Sequence, residues 1–410
     1  IIYLDDHFKM QSLFWSDDYR WAKRRITVNI FGPIPQNFYD FLNIGDLIYL
    51  HNDGAKITLD QLPVAEAAFI ATNPATGAIL AYQGGLNFSK SNFDRVKQSF
   101  PQAGSSFKPF IYSTAFANGY SPSDTINDAP VLFEDANLES VWRPENYTGT
   151  FYGPLRLREA LVQSVNLISI KLLRELGINK TQTFLQNFGF AKSRLAPDLS
   201  LALGSSSFSP AEMIRAYNFL ANAGQGKDLY FVEKILDRDG NIIFQQPLSS
   251  GGSNSANKMN GFPWFSETSV EKMEPFLLLP KLAKESQLID PRIAFMTKDI
   301  LGEALQRGSN GIKTKILNRS DIAGKTGTTN DAISTWFSGF HRDLSATVWI
   351  GTDDFSSLGD NEFGSSIALP IWVDFMSDAL IDVPIDPWRA PAGVSYIRVC
   401  LLYTSDAADE

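Results

Sequence analysis

Three short segments constrain this chain most: Ser105-Ser106-Phe107-Lys108, then Ser164-Val165-Asn166, then Lys325-Thr326-Gly327-Thr328. They lie on stretches that read as a helix start, a break between two helices, and a strand. Any fold in which they act together must bring distant pieces of chain to one place. Pro109 fixes the first piece, because proline is tolerated in a helix only within its first turn. A helix therefore starts near Ser105, and the i, i+3 spacing puts Lys108 on the same face as Ser105. Ser106 faces elsewhere.

The rest of the pattern fits an α+β chain. Residues 67–72 and 78–82 are apolar strands joined by Asn73-Pro74-Ala75-Thr76-Gly77, a hairpin connection. Helices are expected at 157–163 and at 167–176, the second closed by Gly177. Ser209-Pro210-Ala211-Glu212 is a capping box that opens a helix running to about Ala223. Residues 231–236 and 241–245 read as a second hairpin, and 249–261 as a polar surface loop. A helix at 291–307 precedes strands at 325–329, 335–340 and 344–351, and a final helix spans 370–380. Strands at both ends around a helical middle predict one antiparallel sheet assembled from distant segments and flanked by helices. Residues 1–62, with strand-like 25–31 (RITVNIF) and 45–50 (GDLIYL), read as part of a small β domain or linker.

Composition removes several function classes. The net charge of −9 and the lack of a basic stripe argue against a nucleic-acid surface. No apolar run reaches the ~18 residues of a membrane span. The chain starts at Ile1 with no signal peptide, which reads as a fragment. The single cysteine, Cys400, excludes internal disulfides and makes a thiolate metal site untenable. The three histidines, His7, His51 and His341, have no metal-ligand spacing, so no metal or cofactor is expected; a Ser-His-Asp triad stays open, since it needs only one of them. The end of the chain, 399–410, looks more like translated sequencing-adapter read-through than a domain end, with an acidic tail as the alternative.

The motifs themselves point to covalent acyl transfer. S-x-x-K also occurs at Ser255–Lys258 and Ser269–Lys272, so context must select among them. Only Ser105 opens an apolar helix, where the helix dipole and a backbone N–H can hold an oxyanion. Lys108 can serve as its base if desolvation and a second cation, for which Lys325 is the candidate, depress its pKa. Ser164 can relay a proton, and Asn166 can hold a substrate amide, since its side chain both donates and accepts. S-x-N recurs at Ser255-Ala256-Asn257 and is weak alone. K-T-G occurs once: Lys325, Thr326 and Thr328 can bind a carboxylate, Gly327 lets backbone approach, and the N–H groups of Thr328 and Ser105 can form an oxyanion hole.

With the segments NPATGAILA (73–81), GSSFKPFIY (104–112), WRPENY (142–147), REAL (158–161), LALG (201–204) and AGKTGTTND (323–331), the chain resembles the transpeptidase half of class A, bifunctional penicillin-binding proteins. The resemblance spans about residues 62–388. It implies a penicillin-binding transpeptidase fold over 63–388, preceded by part of an OB-like domain in 1–62; the terminal residues separately mark 389–410 as a partly non-native tail. It also implies a D,D-transpeptidase on the periplasmic face of the inner membrane. There Ser105 would attack the penultimate D-alanine of peptidoglycan stem peptides, and β-lactams would acylate it. The glycosyltransferase half and the membrane anchor would lie outside these residues, and oligomeric state is not legible. Pro101, Ala103, Val165 and Ser334 depart from residues common in related enzymes. A class A β-lactamase would need a glutamate downstream of S-x-N, and 176–211 contains none. A D,D-carboxypeptidase differs only in its acyl acceptor, and a penicillin sensor would lack the preceding β domain.

Overall fold

The computed structural model describes residues 2–4, 10–52, 54, 56–89, 91–131, 142–246, 277–282, 289–308 and 311–398. Its centre is a five-stranded antiparallel sheet built from both ends of the chain. In chain order the strands are β1 (Glu66–Thr72), β2 (Ile79–Gln83), β3 (Ala323–Thr328), β4 (Ser334–Phe340) and β5 (Ser345–Gly351). They lie in the order β3-β4-β5-β1-β2. The expected assembly from distant segments is therefore present: β5 pairs with β1 in the register Val348 opposite Phe69.

Burial on both faces explains the bulky apolar side chains that β1, β4 and β5 carry on either side. Side chains alternate across a sheet. Ala68, Ile70, Trp336, Phe340 and Trp349 point into the main helical core. Phe69, Ala71, Phe337, Ala346 and Val348 point into a second core beneath a C-terminal helix carrying Trp372 and Met376.

The principal helices are α1 (Lys108–Ala117), α2 (Leu157–Val162), α3 (Asn166–Leu176), α4 (Pro210–Ala221), α5 (Pro291–Arg307) and α6 (Leu369–Ala379). The α4 capping box forms as expected: the Ser209 hydroxyl accepts from the Glu212 N–H, and Glu212 accepts from the Ser209 N–H. The helix ends two residues earlier than expected, since Ala223 turns to a positive φ of 49°. Helix α1 is buried on nearly all sides. Phe107 stacks on Phe208 at 5.4 Å, and Phe110 meets Phe188, Phe190 and Tyr217 edge-on. Each such ring contributes about 1.5–3 kcal/mol by burial, so the helix bearing the first motif is firmly held.

The N-terminal residues form a separate small core of Leu13, Tyr19, Ala22, Phe38 and Leu59. Here two strand expectations fail. Residues 25–31 fold back on themselves: Arg25 bridges Phe31, and the Thr27 hydroxyl accepts from the N–H groups of Asn29 and Ile30. That local turn takes the hydrogen bonds a strand would need. The expected strand at 45–50 lies further on, at Tyr49–Asn52, paired with Ile57–Asp60. The second hairpin is present as Lys234–Leu236 against Ile242–Gln245. The polar loop at 249–261, the other two S-x-x-K matches, the second S-x-N and Cys400 lie outside the described residues. No helix among the described residues is long and apolar enough to cross a membrane.

Candidate active site

Ser105 lies in a 3-10 turn, Gly104–Phe107, that runs directly into α1. The helix thus begins where Pro109 requires, with one tighter turn ahead of it. The two neighbouring serines separate cleanly. Ser106 is buried and its hydroxyl donates to the Ala103 carbonyl at 2.6 Å. Ser105 is only partly buried, and no described residue hydrogen-bonds its hydroxyl.

The second motif reaches the first through Lys108. Its Nζ, in a fully buried side chain, donates to the Ser164 carbonyl at 2.5 Å, to Asn166 Oδ1 at 2.7 Å and to Ser164 Oγ at 3.3 Å. A kink between α2 and α3 makes this possible. Ser164 takes a positive φ of 58°, and Val165 is buried as the anchor between two inward-facing polar residues. Both ends of the Asn166 amide are engaged, since Nδ2 donates to the Glu145 carbonyl at 3.0 Å. One lone pair and one N–H remain on that amide for a substrate.

The third motif is β3, an edge strand of the sheet. It packs against the nucleophile turn so tightly that side chains are excluded on both sides. A Cβ on Gly104, whose φ is +55°, would stand 2.8 Å from the Thr328 carbonyl oxygen and 3.2 Å from its nitrogen. A Cβ on Gly327 would stand 2.6 Å from the Ala103 carbonyl oxygen and 3.0 Å from Ser106 Oγ. Gly327 is expected to admit substrate backbone; in the structure its bare face is instead taken by the turn that carries Ser105. The same contact sets the Thr328 backbone nitrogen beside the residue preceding Ser105. Thr328 Oγ1 accepts from the Gly364 N–H at 3.0 Å. Lys325 is buried and donates to the Thr326 carbonyl at 3.2 Å.

Burial governs the charges. It pushes Lys325 down to about 8. Burial, and after it the positive charge of Lys325, hold Lys108 well below the ordinary lysine range. Among the described residues no histidine is hydrogen-bonded to Ser105. His341 is buried at the end of β4, where its ring faces Asp321 and accepts from the Asp343 N–H, and nothing links it to Ser105.

Sequence reasoning passed over two features of the site. Asn146, in the segment 142–147, caps α3 by accepting from the N–H groups of Asn166 and Leu167. The next residue, Tyr147, meets Phe363 edge-on at 5.5 Å, and Phe363 adjoins Gly364 on the β3 side. An aromatic contact therefore joins the wall of the second motif to that of the third. The composition of the segment sets it apart, but nothing in its spacing reveals what it touches.

Comparison with known proteins agrees with this geometry. The family model for the penicillin binding protein transpeptidase domain matches residues 67–377. Penicillin-binding protein 1A of Pseudomonas aeruginosa is 36% identical over 407 residues, covering 95% of this chain and 49% of that protein. Its counterpart in Escherichia coli is 31% identical, covering 93% of this chain and 50% of that protein. The crystal structure of penicillin-binding protein 1A from Haemophilus influenzae superposes with a TM-score of 0.73 at 33% identity, covering 86% of this chain and 53% of that one. The chain spans about half the length of the curated relatives it matches. With the three motifs on one site and the match running through all of them, the chain belongs to the penicillin-binding protein transpeptidase family.

Proposed function

We propose that this chain carries a serine D,D-transpeptidase site that crosslinks peptidoglycan stem peptides at the periplasmic face of the inner membrane. The carrying observation is Lys108: a buried, charge-depressed amine one turn from Ser105 and bound to both polar residues of the second motif. In its neutral form it takes the proton of Ser105 as the hydroxyl attacks the penultimate D-alanine carbonyl. The oxyanion is held by the N–H groups of Ser105 and Thr328. Lys325, Thr326 and Thr328 receive the terminal carboxylate, Gly327 lets the turn that bears Ser105 lie against them, and Asn166 holds the stem-peptide amide. Ser164 passes the proton to the departing D-alanine nitrogen, and an amine of a second stem peptide then takes the acyl group.

A β-lactam presents the same carbonyl and carboxylate and acylates Ser105. Class A β-lactamases hydrolyse that adduct with a glutamate beside the ester. The first glutamate after α3, Glu212, is already committed: it accepts from the Ser209 N–H at 2.9 Å and pairs with Arg194. This favours a long-lived acyl-enzyme over a β-lactamase. A D,D-carboxypeptidase would use the same residues with water as acceptor.

Incubation with a fluorescent penicillin, followed by peptide mass mapping, tests the reading. A stable adduct on Ser105, lost in Ser105→Ala, is expected. Labelling of another residue, or undiminished labelling of Ser105→Ala, overturns it.

A further inference from the structure

We infer that Asn146 is a positioning residue for the acyl-transfer reaction, holding Asn166 so that its carbonyl oxygen faces the amine of Lys108. The inference rests on the proposed roles of Ser105 and Lys108 and adds a residue that touches neither substrate nor nucleophile.

Two neighbouring residues grip Asn166 from one side. The Glu145 carbonyl accepts from Asn166 Nδ2 at 3.0 Å, and Asn146 Oδ1 accepts from the Asn166 N–H at 3.1 Å and the Leu167 N–H at 3.2 Å. A carbonyl can only accept, so the Glu145 contact fixes which end of the Asn166 amide faces it. Oδ1 is then the end presented to Lys108 Nζ, at 2.7 Å. Rotated by half a turn, the amide would set two donors against the lysine amine and an oxygen against the Glu145 oxygen.

Asn146 cannot rotate either. Its Nδ2 donates to both oxygens of Asp128, at 3.0 and 2.8 Å, and to the Thr150 carbonyl at 2.9 Å. Asp128 is 1% exposed and also accepts from the Tyr152 N–H at 2.8 Å. The result is a continuous strut: Asp128, Asn146, the first turn of α3, Asn166, Lys108. Each link has one allowed direction, because a carboxylate only accepts and a backbone N–H only donates. Asp128 lies on the strand Thr125–Asp128, so the strut ties the amine to an element outside all three motifs.

Charge exchange along the strut provides the test. Asn146→Asp keeps an acceptor for the α3 N–H groups but sets a carboxylate against Asp128. It should slow acylation of Ser105 by a penicillin by about 10- to 100-fold, the range expected for misplacing a catalytic group. Adding Asp128→Asn restores a donor facing that carboxylate but leaves the Thr150 carbonyl without its donor, so it should recover part of the rate. The pH profile separates positioning from mere folding. An acceptor on Lys108 favours its ammonium form, so loosening Asn166 without adding charge, as in Asn146→Ser, moves the acid limb of the acylation rate to lower pH; the added carboxylate of Asn146→Asp acts the other way, so the limb is read in Asn146→Ser. Asn146→Ser keeps one acceptor for α3 and one donor to Asp128, so it also serves if Asn146→Asp does not fold. An unmoved acid limb in folded Asn146→Ser overturns the inference, and so does an exchange that restores none of the rate. Wild-type protein labelled at Ser105 in the same experiment keeps the underlying reading intact; its failure to label there would remove that reading instead.

Discussion

Lys108 and Lys325 are buried close enough for one charge to act on the other, yet the proposed reaction asks opposite protonation states of them. Lys108 must be neutral to accept a proton, and Lys325 must be an ammonium to bind a carboxylate. Burial depresses both and repulsion between the two amines is mutual; Lys108 is held further down, so it gives up its proton first and Lys325 keeps its own, the order the chemistry needs. This order sets the sign of the pH dependence. Acylation should rise with pH as Lys108 loses its proton and fall as pH passes about 8, where Lys325 loses its own. Lys325→Arg tests the assignment, because a guanidinium stays charged throughout. The alkaline limb of the rate of reaction with a penicillin should disappear while the acid limb stays. An alkaline limb unchanged in Lys325→Arg would assign it to another group.

At the scale of elements, what distinguishes this site is how closely a helix start and a strand approach. Gly104 and Gly327 face each other's segments, and Gly204 closes the other side, where its own Cβ would stand 2.0 Å from the Gly104 carbonyl oxygen. The glycines therefore set the distance between Ser105 and the Thr328 N–H. Gly327→Ala should push the turn from β3, costing about 1–3 kcal/mol of stability by overpacking. It should also slow acylation far more than that loss of folded protein explains. Gly119→Ala is the matched comparison: its φ of +93° makes alanine strained, but no atom lies within 4 Å of the added Cβ. That variant should lose stability in urea unfolding and keep the acylation rate. Equal kinetic effects of the two would mean that the close approach does not tune the site.

For the whole molecule, the sequence was most legible where a local rule had a single solution. Pro109 located the helix start, Ser209 with Glu212 the start of α4, and Gly177 the end of α3. Pattern also reached the sheet, since short runs rich in β-branched and aromatic residues bounded by turn signals mark its strands. Legibility stopped at contacts between segments distant in sequence. Nothing near Asn146 announces that it caps a helix twenty residues on, and RITVNIF has strand composition but is closed by its own Thr27. Arg95 is the clearest case. It is 1% exposed, and its guanidinium donates twice to Asp353, at 2.7 and 2.6 Å, and reaches Glu66 at 3.3 Å. One side chain thus joins the segment leading to Ser105 with the start of β1 and the residues after β5. Asp353 is half exposed and rehydrates when the arginine is lost, whereas Glu66 stays largely buried, so the cost falls between the ~1 kcal/mol of an exposed pair and the ~3–5 kcal/mol of a fully buried one, at about 1–3 kcal/mol. Arg95→Met should lower the unfolding free energy by about that amount, read from the urea midpoint. Arg95→Lys should recover little, since an ammonium cannot give Asp353 two parallel bonds and still reach Glu66. A loss below about 1 kcal/mol, as for an exposed pair, would mean that the sheet joins its two ends without this arginine.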